Sequence, residues 1–311
     1  MAAFVVRRLL WTIPVVLLVI LMTFLMMRQI EGNPFRRTER NVPPAVQANL
    51  EHKFHLDKPW YVQYALYVKG VATFDLGPSL VLRNRSVNDI VAEHFPVSLE
   101  LGLLALLFAV VVGIPLGVLS ALRANSVFDY GAMFVSNVGF AIPSFLVATL
   151  LIYFFALQWG EIFGLPTSGW ATWRAKVLPT IALGLAPMAY FARLVRGTML
   201  ETLQQDYVRT ARAKGLRWHR VVLVHVLRNS LIPAVTAAGP LLGFLITGSF
   251  IIEYIFAIPG IGRYYITAVS ARDYSVVMGL TVLLSLIVVF ANLVVDILYG
   301  YLDPRTREAR A

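Results

Sequence analysis

Cysteine is absent from the 311 residues, which excludes disulfides, thiolate nucleophiles and cysteine-ligated zinc, and leaves the redox compartment unmarked. Charge is scarce as well. Asp, Glu, Lys and Arg make up 14% of the chain, well below the roughly 25% of a soluble domain, so a solvated globule of ordinary composition is excluded. Acids are fewer than bases, 17 against 27, for a net charge of +10. Histidine occurs five times. His52 and His55, three apart on an expected helix, have no matched third ligand, so a solvated face is the better reading and no metal site is assigned.

What is present is apolar surface: 58% of the residues are hydrophobic and the mean hydropathy is positive. Six runs are long enough to cross a hydrocarbon core of about 30 Å at about 1.5 Å per helical residue. They are residues 9–27, 97–122, 128–158, 177–198, 231–257 and 276–302. The first is longer than the core of a signal peptide and ends in Met-Met-Arg without a small-residue cleavage site, so it reads as a retained span. The longest, 128–158, is interrupted by Ala-Ile-Pro-Ser-Phe at Ala141 to Phe145, and a kinked or tilted span is expected there. The expected fold is therefore an all-α, polytopic membrane protein of six transmembrane helices.

Basic residues gather between the apolar runs, where the positive-inside rule accounts for them without nucleic acid. Residues 193–228 carry eight of them (Arg193, Arg196, Arg209, Arg212, Lys214, Arg217, Arg220 and Arg228) against Glu201 and Asp206. This loop is expected in the cytoplasm, as are both termini, the first because Arg7 and Arg8 precede the first span. Residues 31–95 differ, with eight basic residues nearly balanced by seven acids. A segment of that size crosses the membrane largely regardless of charge. It is read as a small, largely helical extracytoplasmic domain, with helices opened by Pro43–Pro44 and by Pro59 and a turn at Gly77–Pro78. The organisation expected is a first span in residues 1–30, that domain in 31–95, a core of five spans in 96–305 and a tail in 306–311.

Inside the basic loop, residues 206–230 have the punctuation of a helical hairpin. Asp206 is the candidate N-cap of a helix through Lys214, and Gly215 can take the left-handed conformation that ends it. A second helix starts near Arg217. Trp218, Val221, Val222 and His225 fall on one face at helical spacing, edged by Arg217 and Arg220. The alternative for such a segment is a basic anchor on anionic lipid.

At these residues the chain resembles the permease subunits of bacterial ATP-binding-cassette importers, whose cytoplasmic loop carries Glu-Ala-Ala, then Gly, then an Ile-x-Leu-Pro signature. Arg-Thr-Ala-Arg-Ala-Lys-Gly followed by Leu-Arg-Asn-Ser-Leu-Ile-Pro is similar to the oligopeptide and dipeptide branch. So are Met-Met-Arg at 26–28, Pro-Pro-Ala-Val-Gln-Ala-Asn-Leu, Ser-Val-Asn-Asp-Ile-Val, Phe-Pro-Val-Ser, Ile-Pro-Gly-Ile-Gly at 258–262, Ala-Arg-Asp-Tyr-Ser and the terminal Asp-Pro-Arg-Thr-Arg. Where the motif has Glu-Ala-Ala this chain has Arg209-Thr210-Ala211, so no role of that glutamate carries over; Gly215 matches.

The resemblance implies a type I importer permease in the bacterial cytoplasmic membrane, a non-catalytic subunit. Its implied partners are a second homologous permease, two ATP-binding subunits, an extracytoplasmic peptide-binding protein, the peptide substrate and membrane lipid, with no nucleic acid. The absence of a Gly-x-x-x-x-Gly-Lys-Ser/Thr loop agrees with ATP and Mg being bound by partner subunits and no cofactor by this chain. Contact with the ATPases is implied at Tyr207, Arg209, Ala211, Arg212, Gly215, Arg217 and Arg220. The solute is a peptide by this branch, with nickel, glutathione or oligosaccharide as alternatives on the same architecture.

Glu100, Glu253 and Asp296 lie near span ends, where a structural ion pair competes with a pathway role. Glu253, a few residues before the Ile-Pro-Gly-Ile-Gly turn, is expected to be held by Arg263 or Arg272 as an outer gate or to face the pathway. Pro143, Glu253 and Arg263 are thus the gate or pathway candidates. Pro115 between Gly113 and Gly117, Pro187 with Gly184, and Pro240 between Gly239 and Gly243 are further candidate breaks; Gly239 and Gly243 also form a Gly-x-x-x-Gly packing pair. Rival classes fit poorly. An intramembrane protease needs a second aspartate beside Asp296 or a serine–histidine pair, a DNA-binding hairpin needs a less apolar face than Trp218 and Val221 to Val224, and a proton-coupled carrier usually needs more spans or internal repeats.

Overall fold

A computed structural model describes residues 2–29, 52, 57–82 and 84–302. Among them every regular element is helical, apart from an isolated antiparallel bridge between Pro78 and Ser86. This follows from the composition, since a backbone in hydrocarbon must satisfy its own hydrogen bonds and a helix does so within one segment. In chain order the helices are α1 (Ala2–Gln29), α2 (Trp60–Ala72), α3 (Val87–Leu122), α4 (Val127–Ala141), α5 (Ser144–Gln158), α6 (Gly160–Phe163), α7 (Trp173–Leu203), α8 (Asp206–Ala213), α9 (Trp218–Ser230), α10 (Ile232–Gly248), α11 (Phe250–Ile255), α12 (Ile261–Ala271) and α13 (Tyr274–Leu302). Segments of α1, α3, α7 and α13 are long and apolar enough to span a membrane, and the bent pairs α4/α5 and α9/α10 raise four spans to six if each counts as one.

The expected kink in residues 128–158 is a sharper feature. Ile142 and Pro143 are both extended (φ −79°, ψ 126° and φ −57°, ψ 138°), and two successive non-helical residues turn α5 by 106° from α4. Pro143 sits at the N-cap of α5, a tolerated place for a residue without an N–H. Residues Ile152–Gln158 of α5 and Val221–Val226 of α9 are wound as π-helix. The fifth expected span, 231–257, is divided at Leu231 and again at Ser249.

The chain divides into two compact units, residues 1–98 with 259–290 and residues 99–258 with 291–311. In the first unit, Ile20 and Phe24 of α1 pack with Met278 and Val282 of α13 and with Tyr64, Tyr67 and Val68 of α2. Pro59 opens α2 as expected. Most of the helix expected from Pro43–Pro44 lies outside the described residues, as do 303–311. Asp273 is buried; it accepts hydrogen bonds from the Ser79 hydroxyl and from the N–H groups of Leu80 (3.1 Å) and Val81 (3.2 Å), tying the loop before α3 to the start of α13.

In the second unit α7 is central. It packs against α4, α5, α9, α10 and α11, and Leu183, Met188, Phe191, Val195 and Met199 are among its buried residues. Pro179 and Pro187 lie inside it without breaking it, and α3 likewise runs unbroken through Pro115. The glycines suspected of marking breaks are instead points of close approach. A Cβ on Gly113 would lie 2.4 Å from the Met188 carbonyl oxygen, one on Gly117 2.5 Å from that of Ala192, and one on Gly184 2.8 Å from that of Ala105. The pairs advance together along both chains, so α3 and α7 run parallel with their backbones nearly touching, as small residues permit in membrane helix pairs.

Candidate functional site: a basic helical hairpin

The hairpin forms largely where its punctuation places it. Asp206 is one position inside the expected boundary: Gln205 is the N-cap, without a side-chain cap bond, and Asp206 opens the first turn. There its carboxylate still complements the positive end of the helix, 3.7 Å from the Arg209 guanidinium. The helix closes at Gly215, whose φ is +76°. The Gly215 N–H bonds the Arg212 carbonyl (2.9 Å) and the Leu216 N–H the Ala211 carbonyl (3.4 Å). These are the two bonds of a Schellman motif, and Leu216 packs against the hydrophobic cluster that includes Ala211.

The second helix, α9, differs from a regular 3.6-residue spacing. The residues buried are Val221, Val222 and Val226, while Trp218 stays exposed and His225 half-buried. The π-wound turns carry extra residues per turn, so the buried face passes from His225 to Val226. Val208, Ala211, Val221, Val222 and Val226 join Phe191, Val195 and Met199 of α7 in one core, and the Thr198 hydroxyl bonds the Ser230 carbonyl at 2.8 Å. The hairpin is therefore fastened to the last turns of α7 rather than hanging as a loop.

Of the hairpin candidates, Ala211 faces this core, and Tyr207, Arg209, Arg212, Gly215, Arg217 and Arg220 are exposed. Arg212 stacks over the Trp218 ring at 4.1 Å, and Asn229 Nδ2 donates to the Tyr207 hydroxyl at 2.9 Å, bridging the two helices. With exposed Leu223 and Val224, the outer surface combines aliphatic groups with aromatic and guanidinium groups, the latter two enriched at protein interfaces.

The carboxylates sort differently. Glu100 pairs with Lys176 and accepts from Trp170 Nε1 at 3.0 Å, a structural ion pair of the kind expected. Glu253 is fully buried in α11 and accepts from the Ser249 hydroxyl at 2.6 Å; Arg263 lies exposed on α12 and Arg272 ends that helix at φ +57°. The side chain of Asp296, and His55, lie outside the described residues, and His52 is exposed. Among the described residues no group of three metal-ligating side chains comes together.

The residue that sequence reading passed over is Asp129. It is fully buried in the first turn of α4 and forms a bidentate pair with Arg196 of α7, Nε to Oδ1 and a terminal nitrogen to Oδ2, both at 2.6 Å. The Ser120 hydroxyl and the Asn125 N–H (2.9 Å) also donate to it. The available signal was Ser126-Val-Phe-Asp129: the Asp129 N–H bonds the Ser126 hydroxyl in a helix-start motif. That motif explains the Asp locally and conceals its second, tertiary role.

The family model described as binding-protein-dependent transport system inner membrane component matches residues 113–308, and the model of the N-terminal membrane component matches residues 1–102. The chain is 46% identical over 308 residues to the dipeptide transport system permease protein DppB of Bacillus subtilis (strain 168), covering 99% of this chain and 98% of that protein. It is 43% identical over 311 residues to the oligopeptide transport system permease protein OppB of Escherichia coli (strain K12), covering 99% and 100%. A solved chain of the MetNI methionine ABC transporter in an inward-facing conformation matches 69% of this chain and 96% of its own length with a TM-score of 0.57. At 20% identity that last likeness speaks for the fold alone. With the two family models spanning residues 1–102 and 113–308, the chain belongs to the inner-membrane components of binding-protein-dependent transport systems.

Proposed function

We propose that the chain is the permease subunit of an ATP-binding-cassette importer of oligopeptides or dipeptides. The observation that carries the substrate class is the end-to-end likeness to dipeptide and oligopeptide permeases over 99% of the chain. The chain pairs with a second, related permease, and two ATPase subunits hold ATP and Mg and perform the hydrolysis. An extracytoplasmic receptor delivers the peptide. The outer surface of the hairpin, with Tyr207, Arg209, Arg212, Gly215, Arg217 and Arg220 exposed, receives the ATPases, and Ala211 holds it to the core. Pro143, Glu253 and Arg263 remain the gate or pathway candidates. Purified with its native partners and reconstituted in vesicles, the complex is expected to accumulate labelled di- or oligopeptides only with ATP inside the vesicle. Uptake of nickel or glutathione but not peptide would replace the substrate class; uptake driven by a proton gradient, with no ATPase co-purifying, would overturn the mechanism.

In this reading the hairpin and both termini face the cytoplasm and residues 31–95 the outside. The absence of native cysteine makes a direct test possible. A cysteine replacing exposed Phe74 is expected to react with a membrane-impermeant maleimide from outside, and one replacing exposed Lys214 only after the membrane is opened. The opposite pattern would reverse the topology.

Gly215→Val tests the hairpin. A Cβ there meets nothing within 4 Å, so the penalty comes only from the left-handed backbone, about 1–2 kcal/mol. The variant is expected to assemble at the wild-type level with ATP-driven uptake reduced severalfold. Uptake equal to wild type at equal expression would show that the hairpin tolerates the distortion.

A further inference from the structure

The start of α4, the end of α3 and the last turns of α7 meet at one buried carboxylate. Asp129 receives two bonds from Arg196, one from Ser120 at the end of α3 and one from the Asn125 N–H in the connecting turn. Three residues before Arg196, Arg193 grips the other end of α4: it donates to Asn137 Oδ1 at 3.1 Å and its guanidinium lies 4.2 Å from the Phe140 ring centroid. Phe140 stands next to the break at Ile142–Pro143. Two residues after Arg196, Thr198 holds the Ser230 carbonyl at the end of the hairpin. One short stretch of α7 is thus bonded to the hairpin on one side and to both ends of α4 on the other.

We infer that Asp129 and Arg196 are positioning residues for transport, a rigid fork through which a displacement of the hairpin is passed by α7 to α4 and so to the 106° break at Pro143. The inference rests on the importer reading, in which ATPase movement reaches the chain at the hairpin. The chemistry suits this role. A bidentate guanidinium–carboxylate pair fixes orientation as well as distance, whereas a lysine in the same place would be a point charge free to pivot. Capping α4 does not account for the carboxylate, since the Ser126 hydroxyl already accepts the Asp129 N–H at that end.

The test is the number of peptides taken up per ATP hydrolysed by the reconstituted complex carrying Arg196→Lys. This variant keeps a cation beside the carboxylate and loses the fork. Misfolding lowers uptake and hydrolysis together and leaves the ratio unchanged, so a purely structural role does not move it. We expect hydrolysis close to wild type and a ratio lower by about tenfold, within the usual range of coupling between sites. A wild-type ratio would overturn the inference. If Arg196→Lys does not assemble, the neutral pair Asp129→Asn with Arg196→Gln is measured in its place, and there too a wild-type ratio overturns it. A wild-type complex that carries another solute instead of peptide would refute the substrate reading alone, because the ratio for that solute still tests the pair.

Discussion

Gly117→Leu is expected to yield no folded permease, and Gly117→Ala a permease weakened by about 1–3 kcal/mol, the usual cost of overpacking a core. The added Cβ would stand 2.5 Å from the Ala192 carbonyl oxygen and 3.0 Å from the Val195 Cβ. The first obstacle is backbone and cannot swing aside as a side chain would, so α3 and α7 must part. Gly113 meets the Met188 carbonyl in the same way; because both glycines open one seam, the double alanine variant will not show the sum of the two losses. The control is Gly131→Ala in α4, where a Cβ meets nothing within 4 Å. That change is expected to be neutral or to stabilise by up to about 1 kcal/mol, since glycine is a poor residue for a helix interior. Thermal unfolding of the detergent-solubilised variants, followed by loss of the monodisperse chromatographic peak, reads the alanine variants, and absence of that peak reads Gly117→Leu. Equal melting of Gly117→Leu and wild type would mean the helices are not in backbone contact.

Asp129→Ala is expected to cost about 3 kcal/mol, the lower end of the range for breaking a buried ion pair. The carboxylate side chain is 1% exposed, but that of Arg196 is 26% exposed, so the cation left behind is less enclosed than the carboxylate was. The companion expectation is less intuitive. Asp129→Ala combined with Arg196→Met should recover most of the loss, because an apolar pair carries no desolvation penalty. The same double variant should still transport poorly for each ATP consumed, since stability is restored but the fork is not. If the double variant is as unstable as the single one, the cost of Asp129→Ala lies in the Ser120 and Asn125 bonds rather than in the unpaired guanidinium.

Much of the architecture was legible along the chain. The apolar runs appear as helices, Pro59 opens one, and Gly215 ends α8 through the motif its neighbours allow, whereas at Gly77–Pro78 the glycine takes φ +85° and the proline lies in the bridge to Ser86 instead of a turn. The departures share a cause. The break at Pro143 was visible as a proline, but its 106° size depends on Ile142 also leaving the helix. His225 gave way to Val226 because α9 is wound with π turns, which a 3.6-residue template does not contain. Asp206 lies one residue inside its helix because an extended Gln205 already forms the boundary.

By itself the sequence determined where the chain enters a membrane and where its backbone must stop being helical. Span length is set by bilayer thickness and helix ends by local dihedral preference, and both are properties of consecutive residues. Only the tertiary structure decided which face of each span meets protein. Lipid is as apolar as a protein core, so a helix such as α3 that is hydrophobic all round carries no stripe marking its buried side. For that reason Gly113 and Gly117 could be taken for breaks until α7 was seen lying against them. Asp129 could be taken for a helix-start residue until Arg196, 67 positions along the chain, was seen to close on it.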